Sequence, residues 1–203
     1  MATQYKKPLQ PRAVNTEQKF LNALNELLRD KSFGQLTVEA IADHAELTRS
    51  AFLKRFGSKK QALLILWQQY CDLCIIASRN FIQNLQSNTS SLEEVCTQIS
   101  KSLEQLQIKH FSANRAINEH FLEDLKVAEP TKIAFLESVE MMRCVQKKYL
   151  SGTAATDAGA FAAAQISLTI NYNYALRAMP ALPKDPNIRH RLIGQLIAKS
   201  LEL

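Results

Sequence analysis

The stretch at residues 37–56, TVEAIADHAELTRSAFLKRF, constrains the fold of this 203-residue chain more than any other. Its first half repeats apolar residues at i, i+3, i+4 and i+7, the spacing of one helix face. These residues are Val38, Ile41, Ala42 and Ala45. Thr37 precedes this helix as a predicted N-cap, and Thr48 caps a second helix. Two short helices joined by a tight turn predict a helix-turn-helix, a unit that reads DNA.

The second helix has an apolar side and a polar side. The apolar side is formed by Ala51, Phe52 and Phe56. The opposite side carries the predicted base contacts, which are Arg49, Ser50, Leu53 and Lys54. Arginine pairs with O6 and N7 of guanine, and serine donates or accepts hydrogen bonds. Phosphate contacts through hydroxyl groups, charge and a helix N-terminus are predicted at Thr37, Thr48, Arg55 and Lys59. An ordinary solvated basic helix is the alternative.

The positive charge of the chain is concentrated near its N-terminal end. Residues 1–65 contain 11 lysines and arginines against 6 aspartates and glutamates, a net charge of +5, whereas residues 66–203 have a net charge of +1. Because duplex DNA is densely negative, this asymmetry predicts a basic DNA-binding domain attached to a near-neutral domain with another task. Basic surfaces also aid solubility, and charge alone leaves that alternative open.

Composition predicts an all-α protein. The chain contains 5 glycines and 6 prolines, and no window alternates β-branched residues between turn signals. The N-terminal sequence MATQYKKPLQPR lacks the apolar core of a signal peptide. The most apolar stretch, residues 158–170, is shorter than the roughly 20 residues that cross a bilayer. We therefore expect a cytoplasmic protein.

The predicted helix boundaries divide the chain into two domains. Residues 1–58 form a basic arm and the helix-turn-helix domain, and residues 59–203 form a connector helix and a C-terminal regulatory and dimerisation domain. The connector follows a capping box of Ser58 and Gln61, and some 25 helical residues span about 37 Å. Besides the two short helices, we predict helices at residues 15–31, 59–84, 92–108, 112–125, 129–149, 156–177 and 186–200.

A support helix followed by TVEAIADHAELTRSAFLKRFGSKKQALL, over about residues 16–66, resembles the N-terminal signature of the tetracycline-repressor (TetR-like) family of transcriptional regulators. The resemblance implies an all-helical homodimer whose variable C-terminal domain binds a small molecule and releases DNA. The chain departs from the family at Glu46, where glycine usually stands in the turn, and at Leu53, where tyrosine usually reaches a phosphate. A residue other than glycine in a left-handed turn costs about 1 kcal/mol, so we expect a slightly reshaped turn.

Cysteine and histidine patterns favour structural roles over metal binding. Cys71 and Cys74 form a C-x-x-C inside the connector helix, where two sulfur atoms are seldom placed for a disulfide bond. No second motif completes a zinc site, so we expect core packing, with redox sensing as the alternative. His120 lies one turn from Asp124, where a solvated acidic face is expected. No metal and no cofactor are predicted.

The C-terminal domain contains candidates for a small-molecule site. Polar amides in the alanine-rich helix at residues 156–177 need hydrogen-bond partners if they are buried. An apolar cavity with a few polar groups is typical of a small-molecule site, here for a mostly apolar effector. Its predicted lining is Phe111, Phe121, Phe135, Tyr149, Asn171 and Tyr172. The same residues fit core or dimer contacts equally well.

The sequence as a whole predicts a dimeric repressor that an effector releases from its operator. Two recognition helices roughly 34 to 36 Å apart would read a near-palindrome in double-stranded DNA. The homodimer is expected to form through the last two helices, with contacts from Ala158, Ala162, Ala163, Ile166, Ile170, Leu192, Leu196 and Ile197. A DNA-binding regulator without an effector, whose C-terminal domain dimerises or binds a protein, is the alternative. An enzyme is not expected, because G-x-S-x-G, P-loop, H-E-x-x-H and Rossmann patterns are all missing.

Overall fold

The computed structural model describes residues 8–150, 156–175 and 182–203. In those ranges the protein is all-helical, as predicted, and no strand occurs. The elements are α1 (Pro11–Leu27), a short 3-10 helix (Phe33–Gln35), α2 (Val38–His44), α3 (Arg49–Phe56), α4 (Lys59–Leu85), α5 (Leu92–His120), α6 (Leu125–Tyr149), α7 (Asp157–Ala175) and α8 (Pro186–Leu201). No helix among the described residues is long and apolar enough to cross a membrane.

The helix-turn-helix forms at the predicted residues, and both predicted N-caps are confirmed. The backbone N–H of Ala40 donates to the Thr37 hydroxyl oxygen at 3.1 Å, and that of Ala51 donates to the Thr48 hydroxyl oxygen at the same distance. Between the two helices Glu46 adopts a positive φ of 55°, so the chain places a non-glycine residue in the left-handed region. Glu46 thus adopts a conformation that glycine reaches more easily, and the expected slight reshaping of the turn stays a prediction.

Helix α1 begins at Pro11, four residues before the predicted start, and ends at Leu27. Proline suits the first position of a helix because its missing N–H would have no partner inside the helix there. The predicted basic arm is therefore shorter than expected, and residues 1–7 of it lie outside the described residues.

The prediction of two helices at residues 92–108 and 112–125 is wrong. A single helix, α5, runs from Leu92 to His120. Ser112, where the second of these helices was predicted to begin, is buried inside α5, and neither glycine nor proline interrupts the segment around it. A serine is tolerated in a helix interior, so its presence does not mark a break.

Helix α6 also begins earlier than predicted, at Leu125 instead of residue 129. The Asp124 carboxylate accepts a hydrogen bond from the backbone N–H of Lys126 at 2.9 Å and caps the first turn. Pro130 consequently lies inside the helix instead of at its first position. The last two helices agree with the prediction, except that residues 176 and 177 of the predicted α7 lie outside the described residues.

The chain forms two compact units. The first consists of Met1–Tyr70 with Ser112–Glu129, and the second consists of Cys71–Phe111 with Pro130–Leu203. The first unit includes residues 112–129, and there the Arg115 side chain donates a hydrogen bond from Nη2 to the backbone oxygen of Leu28 at 2.8 Å. The domain boundary predicted at residue 58 stays a prediction.

Three phenylalanine rings form the centre of the first unit. Phe20 of α1 meets Phe52 and Phe56 of α3 edge-on, with ring centroids 5.2 and 5.9 Å apart. All three rings are almost completely buried, and Ile41 of α2 is buried with them. Each ring contributes about 2 to 3 kcal/mol by leaving water, so this cluster is the main apolar anchor of α3.

The second unit has its own core, formed by α5 to α8 and the end of α4. Fully buried members include Met142, Ile193, Ala163 and Ile197. Ala163 and Ile197 were predicted as dimer contacts, but the structure places them inside the unit. Ala158, Leu192 and Leu196 remain exposed on the same two helices.

We expect Gly194→Ala to destabilise the second unit, because α8 approaches α5 closely at this position. A Cβ atom at Gly194 would lie 2.8 Å from the backbone nitrogen of Thr97 and 2.9 Å from its Cα. Relieving this overlap costs about 1 to 3 kcal/mol, which chemical denaturation monitored by circular dichroism measures.

Gly34→Ala is the matched control, since the nearest atom to its added Cβ is 4.0 Å away. This variant is expected to stay within about 0.5 kcal/mol of the parent protein. Equal unfolding midpoints for the two variants would show that the close approach at Gly194 is absent.

Candidate nucleic-acid interface

Helix α3 presents a polar face to solvent. Phe52 and Phe56 are buried, whereas the predicted base contacts Arg49, Ser50 and Lys54 are exposed. Leu53 is half-buried between the two sides. The structure thus brings the four predicted residues onto one accessible helix surface.

Arg49 is held in place by Glu39 of α2. The Arg49 Nε–H donates a hydrogen bond to the Glu39 carboxylate, although the two side chains remain 60% and 56% exposed. The pKa of Glu39 is lowered, first by a hydrogen bond from its own backbone N–H and next by the hydrogen bond from Arg49. Glu39 was not among the site residues predicted from the sequence, since a contact between residues on different helices leaves no periodic pattern.

The two threonine caps differ in their surroundings. Both side chains are exposed, and each hydroxyl oxygen accepts a backbone N–H. The Thr37 hydroxyl also stabilises the Glu39 carboxylate and contributes to its lowered pKa. A hydroxyl group that accepts one hydrogen bond keeps a proton to donate, so Thr48 retains the chemistry that a phosphate contact needs.

Arg55 and Lys59 have internal partners as well. Arg55 Nε lies 3.9 Å from the Glu17 carboxylate, which is almost completely buried. Lys59 Nζ donates to the backbone oxygens of Phe33 at 2.9 Å and Leu36 at 2.7 Å. These contacts fix the 3-10 segment that precedes α2. A phosphate-binding role for the two cations stays a prediction.

The Phe121 ring, predicted to line an effector cavity, belongs to the first unit. It meets the Phe33 ring edge-on at 5.4 Å, and the Lys60 ammonium lies 4.9 Å from its centroid. Lys60 also pairs with the Asp124 carboxylate at 2.7 Å. These contacts connect Phe121, which precedes α6, with Phe33, which precedes α2, and both residues belong to the first unit.

The other predicted ligand residues lie in the second unit. Asn171 is fully buried and donates from Nδ2 to the backbone oxygen of Ser167 at 2.7 Å, while its Oδ1 has no partner among the described residues. Burial raises the pKa of the Tyr149 hydroxyl, which also has no partner in that part of the chain. Phe111, Phe135 and Tyr172 are half-buried.

A buried charged cluster in the second unit was not predicted from the sequence. Arg189 forms a two-pronged ion pair with Glu104, with Nη2 2.7 Å from Oε1, and both side chains are almost completely buried. His190 lies 3.2 Å from the Ser100 hydroxyl, and desolvation lowers the pKa of its imidazole against the opposing effect of Glu104. Residues 85 positions apart give no local signal of pairing.

The cysteines and acidic groups form no metal centre in the described part of the chain. Cys71 and Cys74 are buried, and burial raises the pKa of Cys71 to about 12. A thiol that stays protonated is a poor nucleophile and a poor metal ligand. No group of three or more histidine, cysteine, aspartate or glutamate side chains in the described ranges is arranged to hold a metal ion.

The family model for bacterial regulatory proteins of the tetR family matches residues 20–65. That match contains α2, α3 and the beginning of α4, together with most of α1. The chain therefore has the N-terminal domain of the TetR family, and the resemblance stated from the sequence is confirmed. A comparison with curated protein sequences found no match.

Solved structures of TetR-family regulators share the fold over about 95% of this chain. The fatty acid degradation regulator FadR from Bacillus halodurans has a TM-score of 0.70 at 14% identity, with 95% of this chain and 97% of that chain covered. NalD, the secondary repressor of the MexAB-OprM multidrug efflux pump in Pseudomonas aeruginosa, has a TM-score of 0.69 at 17% identity and covers 95% and 98%. A TetR family transcription regulator from Marinobacter aquaeolei has a TM-score of 0.69 at 15% identity, with the same coverage. At these identities the likeness concerns the fold.

Proposed function

We propose that the protein is a sequence-specific DNA-binding transcriptional regulator that inserts α3 into the major groove. The observation that carries this proposal is the exposed face of Arg49, Ser50 and Lys54 on a helix anchored by two buried phenylalanines. The N-terminal residues of a recognition helix contact base edges. Arg49 and Ser50 are the first two residues of α3, so they are positioned to contact bases.

The Thr48 hydroxyl is proposed to contact a phosphate, and so is Lys54, which the sequence had placed among the base contacts. Lys54 lies in the last turn of α3, where a recognition helix leaves the groove, and Thr48 lies at its beginning. Contacts of this kind fix the register of a protein on DNA without reading sequence. The net charge of +5 over residues 1–65 supports the attraction to a duplex.

The regulator is proposed to act as a homodimer through α7 and α8. Large apolar side chains are exposed on both helices, with Phe161 51% exposed on α7 and Ile188, Leu192 and Leu196 between 40% and 49% exposed on α8. The exposed side chains on α8 are spaced four residues apart and form one stripe. A two-fold axis through this surface would bury it and place two α3 helices on a near-palindrome.

The third part of the proposal is that an effector binds the second unit and ends repression. The buried acceptor of Asn171 and the buried hydroxyl of Tyr149 support it, because polar groups without partners in an apolar unit suit a ligand with a few polar atoms. The solved structures of FadR from Bacillus subtilis and from Thermus thermophilus are complexes with stearoyl-CoA and lauroyl-CoA, and their TM-scores to this chain are 0.62 and 0.55. They show that a protein of this fold holds a ligand with a long apolar chain.

A regulator without an effector is the second candidate, since the same side chains fit a packed core. Native mass spectrometry of the purified protein with lauroyl-CoA and stearoyl-CoA tests whether either binds. A binder that leaves DNA affinity unchanged would favour this second candidate, because an effector acts only through different affinities for the two states.

Arg49→Ala is expected to relax base preference, whereas Lys54→Ala is expected to weaken binding to all duplexes alike. The arginine pairs with a base edge, and its loss removes about 1 to 3 kcal/mol of discrimination. The lysine releases a counterion on binding, so its loss makes the salt dependence shallower by about one unit. Fluorescence anisotropy with selected and scrambled duplexes over a salt series measures both effects.

Lys184→Ala, which removes one exposed cation from the second unit, is the matched control. It should leave the base preference and the salt dependence of DNA binding unchanged. Equal losses on selected and scrambled duplexes for the Arg49 and Lys54 variants would contradict the two roles.

Leu192→Asp is expected to weaken the dimer at least about tenfold, because an unpaired carboxylate in an apolar interface loses its hydration. Leu73→Asp on α4 is the control, since Leu73 and Leu192 are 38% and 40% exposed but lie on different helices. Sedimentation equilibrium at micromolar concentration measures the association. A monomeric parent protein, or equal association of the two variants, would refute the proposed interface.

A further inference from the structure

Glu39 is an exposed carboxylate beside the proposed DNA-reading helix. It is the second residue of α2, and its ionised form is stabilised there by its own backbone N–H, by Arg49 and by the Thr37 hydroxyl. These three donors leave capacity for a further donor, because an ionised carboxylate has about four acceptor positions. Glu39 therefore presents a fixed negative charge at a surface proposed to meet phosphates.

The hydrogen bond between the two side chains leaves the end of the arginine accessible. Among the described residues Arg49 bonds to Glu39 through Nε, and no partner is present at Nη1 or Nη2. These two terminal nitrogens form the fork that pairs with O6 and N7 of guanine. Glu39 thus orients the guanidinium group by its side and does not occupy the edge that reads a base.

A carboxylate in the major groove needs a donor to offset lost hydration and repulsion from phosphates. Exocyclic amino groups are the donors that base edges offer there, and glutamate pairs with N4 of cytosine. Arginine and glutamate side by side therefore match a guanine with a cytosine close to it. A pair that merely neutralised charge would show no such preference.

We propose that Glu39 and Arg49 read DNA as one unit, in which the Arg49 fork binds O6 and N7 of a guanine and the Glu39 carboxylate accepts a hydrogen bond from N4 of a cytosine in the same base-pair step. This inference rests on the proposed DNA-binding function. It makes Glu39 both a positioning residue for Arg49 and a determinant of specificity. In an ordinary surface ion pair Glu39 would contact no base, and its negative charge would oppose binding to every duplex.

The proposed base contact and an ordinary surface ion pair predict opposite effects of Glu39→Gln. The full-length protein first selects duplexes from a random pool, and each position of the selected site is then varied in competition binding. If Glu39 contacts a cytosine, Glu39→Gln loses about tenfold affinity for the selected duplex. It also loses the preference for cytosine at one position. Affinity for a scrambled duplex rises or stays constant, because one negative charge has been removed.

Asp43→Asn is the matched control, since Asp43 is another exposed carboxylate on α2. It removes the same charge and is expected to change affinity for selected and scrambled duplexes alike. Glu39→Asp keeps the charge but shortens the side chain, so it separates orientation from electrostatics. It is expected to lose affinity for the selected duplex without gaining affinity for the scrambled one.

The inference is overturned if Glu39→Gln strengthens binding to both duplexes as Asp43→Asn does, or if it lowers affinity without changing preference at any cytosine. Both outcomes leave the proposed function intact, because the parent protein still selects a sequence. Failure of the parent protein to enrich any duplex would instead contradict the proposed function itself.

Discussion

The packing of the Phe20 ring against Phe52 and Phe56 determines which face of α3 reaches the solvent. The three rings lie 4.9 to 5.9 Å apart and exclude water from one side of a helix of only eight residues. A helix this short has little stability of its own, so tertiary burial supplies most of it. Because rotating α3 about its axis would expose a phenylalanine to water, the polar side chains stay on the solvent side of the helix.

The surroundings of this helix support the same orientation. The Thr48 cap fixes its beginning, and Gly57, with a φ of 74°, ends it by donating to the Leu53 backbone oxygen at 2.8 Å. Lys59 stabilises the 3-10 segment that leads into α2. The first unit therefore presents a polar surface in which some cations are exposed and others have internal partners.

The helix-turn-helix was predictable from sequence because its signals are local. Caps, a 3.6-residue apolar period and a turn lie within 20 positions, and Thr37, Thr48 and Phe52 have the expected roles. The break predicted before Ser112 was wrong because serine is also tolerated in a helix interior. The local sequence alone does not show whether a serine begins a helix or lies inside one.

Contacts between distant residues could not be predicted in this way. Lys59 bonds to the Phe33 backbone 26 positions away, and Arg189 bonds to Glu104 at a separation of 85. Neither pair leaves a repeating pattern in the sequence. The buried Arg189 and Glu104 charges depend on each other, since removing one would leave the other unpaired in the core of the second unit.

Binding of α3 in the major groove is the central claim, and methylation interference tests it most directly. Dimethyl sulfate methylates N7 of guanine in that groove, at the atom proposed to pair with Arg49. The account predicts that modification of one guanine in each half-site prevents binding, with the two guanines about one helical turn apart. Undiminished binding to duplexes methylated at every guanine N7 would contradict it.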